Sequence, residues 1–403
     1  MGLGSIVGTG VFVSVGIAAG IAGPSVVLAV ALAALVATAN GLSSAQLAAA
    51  HPVSGGTYEY GYRYLTPTLG FAAGWMFLLA KSASGATAAL GFGGYFLDLV
   101  GVSIDWLVPT ALAAVVALTA IVLVGIRSSN TINIAIVSVT LLALATFVVI
   151  GLPDVDRANF DGFIGDGGTP GLLEAIALMF VAYTGYGRIA TLGEEVRDPR
   201  RTIPTAIIAT LVTTMLLYTA VAFVAVGVGG ASTLADLTDR LAAPLEALAQ
   251  GFSGDGLAGL VAIGAISAML GVLLNLILGL SRVLLAMGRR GDMPRATAAI
   301  NPAGTTPTVA VPVMGAVIAV LVLIGDVKAT WTFSAFTVLI YYSITNLAAL
   351  RLPPDDRRFP RWVSIGGLVA CLFLAFWVEP TVWLAGIGLL GVGFGARAIV
   401  RRF

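Results

Sequence analysis

Three glycines and two hydroxyl side chains lie within seven residues near the start of the chain, in the segment Gly4-Ser5-Ile6-Val7-Gly8-Thr9-Gly10-Val11-Phe12. Glycine is unfavourable inside helices and adopts backbone angles that other residues avoid. A helix broken here exposes N–H groups that attract a carboxylate and C=O groups that attract an ammonium. The segment therefore predicts a binding site for a small polar molecule, built largely from main-chain atoms.

A second segment of this kind lies near the middle of the chain, Phe180-Val181-Ala182-Tyr183-Thr184-Gly185-Tyr186-Gly187-Arg188. Paired interruptions in two halves of a membrane protein indicate an inverted repeat with a central site. Two facing breaks suit a zwitterion, with its carboxylate on the amides of residues 8–10, its amine on the carbonyls of residues 180–183, and the Thr9 hydroxyl as an extra donor. Phe180 or Tyr183 is expected to cover the ligand as an aromatic gate.

Composition identifies the class of protein in which these breaks must work. The chain has 403 residues, of which 58% are hydrophobic and 10% charged, whereas a soluble domain carries about 25% charged residues. With one cysteine and one histidine, neither an intramolecular disulfide nor a Cys/His metal site is expected. No catalytic pair, nucleotide loop or nucleic-acid-binding pattern is present, so we expect neither an enzyme nor a cofactor.

Hydropathy predicts an all-α polytopic membrane protein, since a membrane-spanning helix needs about 20 mostly apolar residues and roughly twelve such stretches are present. These stretches are 2–20, 25–50, 67–98, 106–125, 131–152, 171–193, 203–229, 256–287, 308–325, 328–350, 361–378 and 381–400. We predict a single transmembrane domain over 1–403, in which repeat one (2–152) mirrors repeat two (171–350). Two extra helices over 361–400 follow the repeats.

Basic residues predict the orientation in the membrane. Most arginines fall in the loops on the same side as the two termini, whereas Arg157, Arg240 and Lys328 fall on the other side. Positive loops stay in the cytoplasm, so both termini are expected there, with the protein in the plasma membrane. No removable signal peptide is expected, because the N-terminus lacks a basic region.

Lys81 is a candidate for coupling transport to protons. It lies about 12 residues into the third apolar stretch, so about 18 Å deep at 1.5 Å per residue. A lysine inside the membrane costs at least about 2.5–3.5 kcal/mol and is a functional candidate by default. The alternative is a lysine without a transport role, held by helix-end carbonyls or reaching into a water-filled vestibule.

Other polar and aromatic side chains are expected to be structural. We predict that Glu59 pairs with Arg63 within one helix and that aromatic residues act as anchors at the membrane interface. These anchors are Tyr58, Tyr60, Tyr62, Tyr64, Trp75, Trp106, Trp331, Trp362, Trp377 and Trp383. Close helix packing is expected at Gly16 and Gly20.

The chain resembles the amino acid–polyamine–organocation (APC) superfamily, and within it permeases of the cationic-amino-acid-transporter type. Matching motifs run in order through the chain: 4–12, 22–24, 52–58, 91–96, 180–204 and 282–294. The resemblance implies a five-plus-five inverted repeat with broken helices one and six, and transport by alternating access. It also implies that Ile6, Gly8, Thr9, Gly10, Phe180, Val181, Ala182, Tyr183, Thr184 and Gly185 contact the amino-acid backbone.

The inner gate is predicted at the end of the sixth stretch, where relatives use an acidic pair that matches Glu194 and Glu195. Arg188 is expected to form an ion pair with one of them, since one or two helical turns separate these residues. A solvated helix end is an equal alternative for the pair.

Two departures from the resembled family affect this interpretation. Proton-coupled relatives carry a lysine in span five, where this chain has Thr140, and sodium-coupled relatives carry small or hydroxylated residues where this chain has Leu270 and Gly271. A sodium site is therefore not expected. Met1 adjoins the first break, so the half-helix that precedes it in the family is expected to be missing from this sequence.

These observations together predict a secondary active transporter of amino acids, with protons as the coupling ion and the lipid bilayer as its environment. An amino-acid exchanger or facilitator is the alternative within transport. A membrane sensor that binds amino acids without moving them is the alternative from another class.

Overall fold

The computed structural model describes residues 2–53, 55–125, 130–187, 198–252 and 256–402. Within these ranges the chain is helical, without a β-strand, and one isolated bridge pairs Ile300 with Pro307. The α-helices are α1 (Gly2–Ile6), α2 (Thr9–Phe12), α3 (Ser14–Ala22), α4 (Val26–Ala50), α5 (Thr57–Tyr64), α6 (Pro67–Val100), α7 (Leu107–Val124), α8 (Asn130–Gly151), α9 (Gly168–Tyr183), α10 (Pro199–Gly229), α11 (Ala231–Leu241), α12 (Pro244–Ala249), α13 (Leu257–Arg289), α14 (Ala310–Val322), α15 (Val327–Leu350), α16 (Arg361–Ala375) and α17 (Pro380–Val400). The predicted all-α class is confirmed.

Seven helical stretches in the described residues are long and apolar enough to cross a membrane, and α14 and α16 are shorter apolar helices. The seven are Ser14–Ala50, Ile104–Val124, Asn133–Asp154, Arg201–Gly229, Leu257–Arg289, Val327–Leu350 and Pro380–Val400. Each predicted apolar stretch contains a helix in the described residues, although 308–309 and 376–378 lie outside helices and the helices in 67–98 and 171–193 are not among these nine. The chain is therefore a polytopic membrane protein.

Local sequence explains where the central helix α6 begins and ends. The Thr66 side chain accepts a hydrogen bond from the Leu69 amide at 3.2 Å, and Pro67 occupies the first helical position. Both features stabilise a helix N-terminus. At the other end Gly101 adopts a left-handed conformation with φ 68°, which a glycine adopts at little cost.

The first predicted break is present. Helix α1 ends at Ile6, the chain bends through Val7 and Gly8, and α2 begins at Thr9. A further bend at Val13 separates α2 from α3. Residues 7–8 are called the first break below.

The second break begins later than the sequence predicted. Helix α9 continues through Tyr183, so Phe180–Tyr183 is helical rather than unwound, and a 3₁₀ turn follows at Thr184–Tyr186. The Thr184 hydroxyl donates to the Val181 carbonyl at 2.7 Å, and the Thr184 amide donates to the same oxygen. Residues 184–186 are called the second break below. The regular helix ends here because the Thr184 hydroxyl competes with backbone amides for a carbonyl of the preceding turn.

Protein surrounds both breaks. Helix α6 packs on α13 and α15, and α4 packs on α9 and α10. Inside this arrangement, α2 contacts α9 and α13, while α1 contacts the second break and α8. Backbone groups freed by a break are tolerated at membrane depth only where protein or a cavity encloses them, and this packing meets that condition.

Candidate substrate-binding site

The two breaks lie directly against each other. A methyl group added at Gly10 would lie 2.5 Å from the Cβ of Ala182, and one added at Gly185 would collide with the carbonyl oxygen of Ser5. Only glycine allows backbones to approach this closely. The broken helices therefore face each other, as the glycine pattern predicts.

A cavity of about 100 Å³ adjoins this contact. A single water needs roughly 10–15 Å³ of such space, so the cavity has room for a small organic molecule. Seven of the predicted site residues line it: Ile6, Thr9, Gly10, Val181, Ala182, Thr184 and Gly185. The structure thus brings most of the predicted residues to one enclosed space.

Three predicted site residues do not line the cavity. Gly8 lies against the side chain of Val272. The Phe180 ring lies edge-on to Tyr342, with centroids 5.6 Å apart, and the Tyr183 hydroxyl donates to the Val30 carbonyl at 3.2 Å. The two aromatic side chains predicted as a gate therefore lie behind the cavity wall, because α9 remains helical to residue 183.

The aromatic residues that line the cavity are Phe77 and Trp331. Trp331 was expected to anchor the protein at the membrane interface, and this expectation is wrong. Its side chain is buried, and its indole N–H donates to the Leu178 carbonyl at 3.0 Å. A tryptophan one turn inside α15 is close enough to a helix end to resemble an interfacial residue in sequence.

The Thr9 hydroxyl has no hydrogen-bond partner among the described residues, although its residue is only 3% exposed. It lies on the cavity wall at the start of α2. Nearly all buried hydroxyls in proteins have a partner, and the first amides of a helix have none within it. Thr9 and the adjacent amides are therefore suited to receive an anionic group.

Lys81 reaches the second break from α6. Its ammonium donates to the Thr184 hydroxyl at 2.7 Å, and the residue lines the cavity while being only 7% exposed. The Thr184 hydroxyl in turn donates a hydrogen bond to the Val181 carbonyl. The lysine is thus tied to the broken helix that carries the predicted substrate carbonyls.

Tyrosine hydroxyls satisfy carbonyls at both breaks, which sequence reasoning missed. Tyr218 donates to the Ile6 carbonyl at 2.8 Å, Tyr95 to Phe12 at 2.8 Å, and Tyr342 to Thr184 at 3.2 Å. All three tyrosines are buried, and each comes from a different long helix. Their only sequence signal is a polar aromatic residue inside an apolar stretch.

The cavity extends from the breaks toward the predicted cytoplasmic side, where Gly55, Gly187 and Arg282 complete its lining. The predicted inner-gate residues Arg188, Glu194 and Glu195 lie outside the described residues. Their role stays a prediction.

A buried polar cluster lies at the predicted inner end, and it contains two tyrosines that were predicted to be interfacial anchors. Asp292 is fully buried and accepts hydrogen bonds from Tyr58 at 2.9 Å and from Tyr62. Arg397 of α17 donates to it at 2.7 Å and Arg401 at 2.9 Å. We call these five residues the inner cluster. Tyr58 and Tyr62 thus donate hydrogen bonds to a buried carboxylate and are not interfacial anchors.

The predicted pair of Glu59 with Arg63 is also wrong, since Glu59 forms its ion pair with Arg290. The guanidinium of Arg290 lies over the Tyr62 ring, 4.4 Å from its centroid. Helix α5 therefore packs against the end of α13, which brings a distant arginine closer than the one on its own helix.

Comparison with known proteins decides the family. The model of the family described as amino acid permease matches residues 1–398. The chain belongs to the amino acid permease family. This permease is accordingly a transporter of amino acids in a membrane and not an enzyme.

Relatives of the permease span almost its whole length. An uncharacterized transporter of Mycobacterium tuberculosis is 43% identical over 100% of this chain and 90% of its own. A branched-chain amino acid permease and a methylthioribose transporter, both of Bacillus subtilis, are each 29% identical, over 97% and 98% of this chain and 90% and 89% of their own. Cationic amino acid transporters are also among the relatives.

Proposed function

We propose that this permease moves an amino acid across the plasma membrane by alternating access, driven by proton symport. The two contacting breaks around one cavity are the observation that carries the proposal, since transporters bind substrates at facing broken helices. In this proposal repeats 2–152 and 171–350 move against each other about the cavity, and helices over 361–400 lie outside them. Both termini face the cytoplasm, consistent with the arginine-rich loops.

The substrate backbone is recognised at the two breaks. The carboxylate accepts from the unpartnered Thr9 hydroxyl and from the amides at the start of α2. The ammonium lies near the carbonyl end of α9 at Ala182, where the helix dipole favours a cation. Gly10 and Ala182 are in contact, so both groups of one zwitterion are within reach.

The wall of the cavity favours an uncharged, apolar substrate side chain. Val181, Val272, Leu276, Phe77 and Trp331 supply apolar surface, and no carboxylate is found among the described lining residues. A cationic side chain would find Lys81 in the same lining, and like charges in a low dielectric repel strongly. The name of the branched-chain relative agrees with this preference.

Lys81 couples the proton in this scheme. As an ammonium it donates to Thr184 and holds the second break in its present form. In the proposed symport the substrate-loaded form keeps this proton while access changes. Lys81 then releases the proton to the cytoplasmic side, and the loss of charge frees the second break so that the substrate leaves. Burial of the residue makes the neutral form accessible.

Uptake of each of the twenty amino acids into proteoliposomes, with and without a pH gradient, tests the proposal. We expect Gly10→Leu to abolish uptake because its side chain would fill the contact with Ala182. Gly388→Leu is the matched control, since a side chain there meets open space. Full uptake by Gly10→Leu would remove the basis of the proposal.

The coupling role is tested separately with Lys81→Ala. We expect this variant to lose accumulation driven by the pH gradient, while Lys328→Ala, the same change at an exposed position, keeps it. Unchanged accumulation by Lys81→Ala would exclude the lysine as coupling residue. Uptake insensitive to the gradient in the unaltered chain would identify an exchanger or facilitator, and binding without uptake would identify a sensor.

A further inference from the structure

Helices α11 and α12 (residues 231–249) form a cap on the predicted outer side. Helix α11 packs on α3, the outer part of the first broken helix. A methyl group at Gly16 would collide with Thr238, and one at Gly20 would lie 3.0 Å from the Cβ of Ala235. The predicted close packing at these glycines is therefore present, and it holds the cap against the first broken helix.

Tyr95 joins the cap to the first broken helix. Its hydroxyl accepts from the Leu245 amide of α12 at 3.3 Å and donates to the Phe12 carbonyl at 2.8 Å. Its ring lies edge-on to Phe12, with centroids 5.9 Å apart. A change at the α12 contact is thus transmitted to the last residue of α2 through one side chain.

Glu246, the next residue on the cap, carries a buried carboxylate oxygen without a partner. The residue is 3% exposed, and its Oε2 makes no hydrogen bond to any described residue. Asp98, one turn beyond Tyr95 on α6, also has a buried oxygen, Oδ2, without a partner there. A buried carboxylate oxygen without a donor is costly while the group is ionised, and a second negative charge nearby adds to that cost.

Other charges near Glu246 do not offset this cost. Burial, with the Asp98 carboxylate as second cause, raises the pKa of Glu246 from 4.5 to about 8. On the cap itself Asp236, Asp239 and Arg240 are exposed to solvent. Helices α10 and α13, which also contact α12, carry their charged residues only at their opposite, inner ends.

We infer that Glu246 and Asp98 form an external proton-binding site that controls the outer cap. A proton from the outer solution forms an O–H bond on Glu246 as the cap seats on α3 and α6, and it returns to that solution when the cap lifts. Protonation removes the charge of a buried carboxylate that has an unpartnered oxygen, so acid outside favours the seated cap and alkali favours the lifted one. This site is separate from Lys81 and does not require the substrate.

Labelling of an introduced cysteine from the outside tests this inference without transport. Ile17→Cys lies in the crevice under the cap, and Ser103→Cys, at an exposed position, reports the thiol's own dependence on pH. The parent chain is the blank, since its single cysteine, Cys371, is buried. The measurement is the rate of reaction with a membrane-impermeant maleimide, as the ratio of Ile17→Cys to Ser103→Cys.

We expect this ratio to rise between pH 4.5 and pH 8, by at most about tenfold per pH unit, the limit for one titrating group. Adding Glu246→Gln should remove the rise and leave labelling slow at every pH. Adding Asp239→Asn, an exposed acid of the same cap, should leave the rise unchanged. A rise that survives Glu246→Gln, or no rise in the chain with Glu246 intact, would overturn the inference.

Asp98→Asn provides a second variant if Glu246→Gln does not fold, as judged by elution of the detergent-solubilised protein. Without the Asp98 charge, the midpoint of the rise should move to lower pH, because one of the two causes of proton binding is removed. An unchanged midpoint contradicts the pairing. Because no amino acid is present in the assay, its result does not depend on whether the proposed transport is correct.

Discussion

Two buried carboxylates at opposite ends of the molecule have opposite surroundings. Asp292 in the inner cluster accepts from two tyrosines and two arginines, whereas Oε2 of Glu246 on the outer cap has no partner among the described residues. Burial acts to raise the pKa of both groups. At Asp292 hydrogen bonds from Tyr62, Arg397 and Tyr58 outweigh burial and lower the pKa, whereas the pKa of Glu246 rises to about 8.

The difference shows that partners, rather than burial, decide what a buried charge does. A carboxylate with several donors stays ionised and ties structural elements together. One without donors binds a proton instead. The inner end, where α17 is joined to α5 and to the end of α13, is therefore built as a fixed connection. The outer end is built to respond to pH.

The largest effect is expected from breaking the inner cluster. Asp292→Ala leaves Arg397, which is 7% exposed, without its carboxylate partner. Removing one member of a buried ion pair costs about 3–5 kcal/mol, so the melting temperature of the detergent-purified protein should fall sharply. Asp355→Ala, an exposed acid on the same side, is the control, and an equal fall in both variants would contradict the comparison.

The sign of the pH dependence at Asp292 follows from its lowered pKa. The folded protein holds the ionised form more strongly than the unfolded chain does, so this stabilisation is present above the ordinary pKa of 3.8. It is lost only as pH falls through the lower value in the folded state. Thermal unfolding measured on the acid side should show this loss in the parent chain and not in Asp292→Ala.

An intermediate effect of opposite direction is expected at the outer cap. Glu246→Gln removes a carboxylate whose buried oxygen is unsatisfied, a defect that costs about 1–3 kcal/mol. The variant should therefore be more stable than the parent above pH 8 and equal to it below pH 4.5. The sign follows because the folded state binds this proton more tightly, so parent stability falls as pH rises through that window.

Thermal unfolding of the parent and Glu246→Gln across this pH window is the measurement. Asp239→Asn serves as the control, for which we expect a curve parallel to the parent. Lower stability of Glu246→Gln at alkaline pH would show that Glu246 has a partner and would remove the contrast with Asp292.

The smallest effect is expected at the ion pair between Glu59 and Arg290, where the arginine side chain is 42% exposed. Exposed pairs contribute about 0.2–1 kcal/mol and are screened by salt. Glu59→Gln should lower stability by no more than this at low salt, and less at high salt. A loss of stability as large as that of Asp292→Ala would show that the effects of substituting Asp292, Glu246 and Glu59 do not follow the exposure of these groups.

The breaks were predictable because their signals are local. Gly8, Thr9 and Gly10 carry the low helix propensity that ends α1, and the same holds for Gly185 in the second break. The exact onset was not predictable: whether Phe180–Tyr183 stays helical depends on the Thr184 hydroxyl and on contacts with other helices. For this reason the sequence predicts Phe180 and Tyr183 over the ligand, whereas the aromatic residues that line the cavity come from α6 and α15.

The inner cluster and the outer carboxyl pair were invisible in the sequence for a related reason. Tyr58 and Asp292 are far apart in the chain, and nothing in either neighbourhood indicates the other. Glu246 lies in a short segment between membrane spans, where an acidic residue is ordinarily solvated. It is buried because α12 packs on α13, α11 and α10.

The sequence by itself determined the membrane class, the positions of the helices and the two sites where helices break. These properties follow from hydropathy and backbone propensity, which act over a few residues at a time. The tertiary structure alone decided which side chains wall the cavity, which tyrosine satisfies each exposed carbonyl, and which carboxylates are paired. Those outcomes require distant segments to meet, as when Tyr342 reaches Thr184, and no local pattern specifies such a meeting.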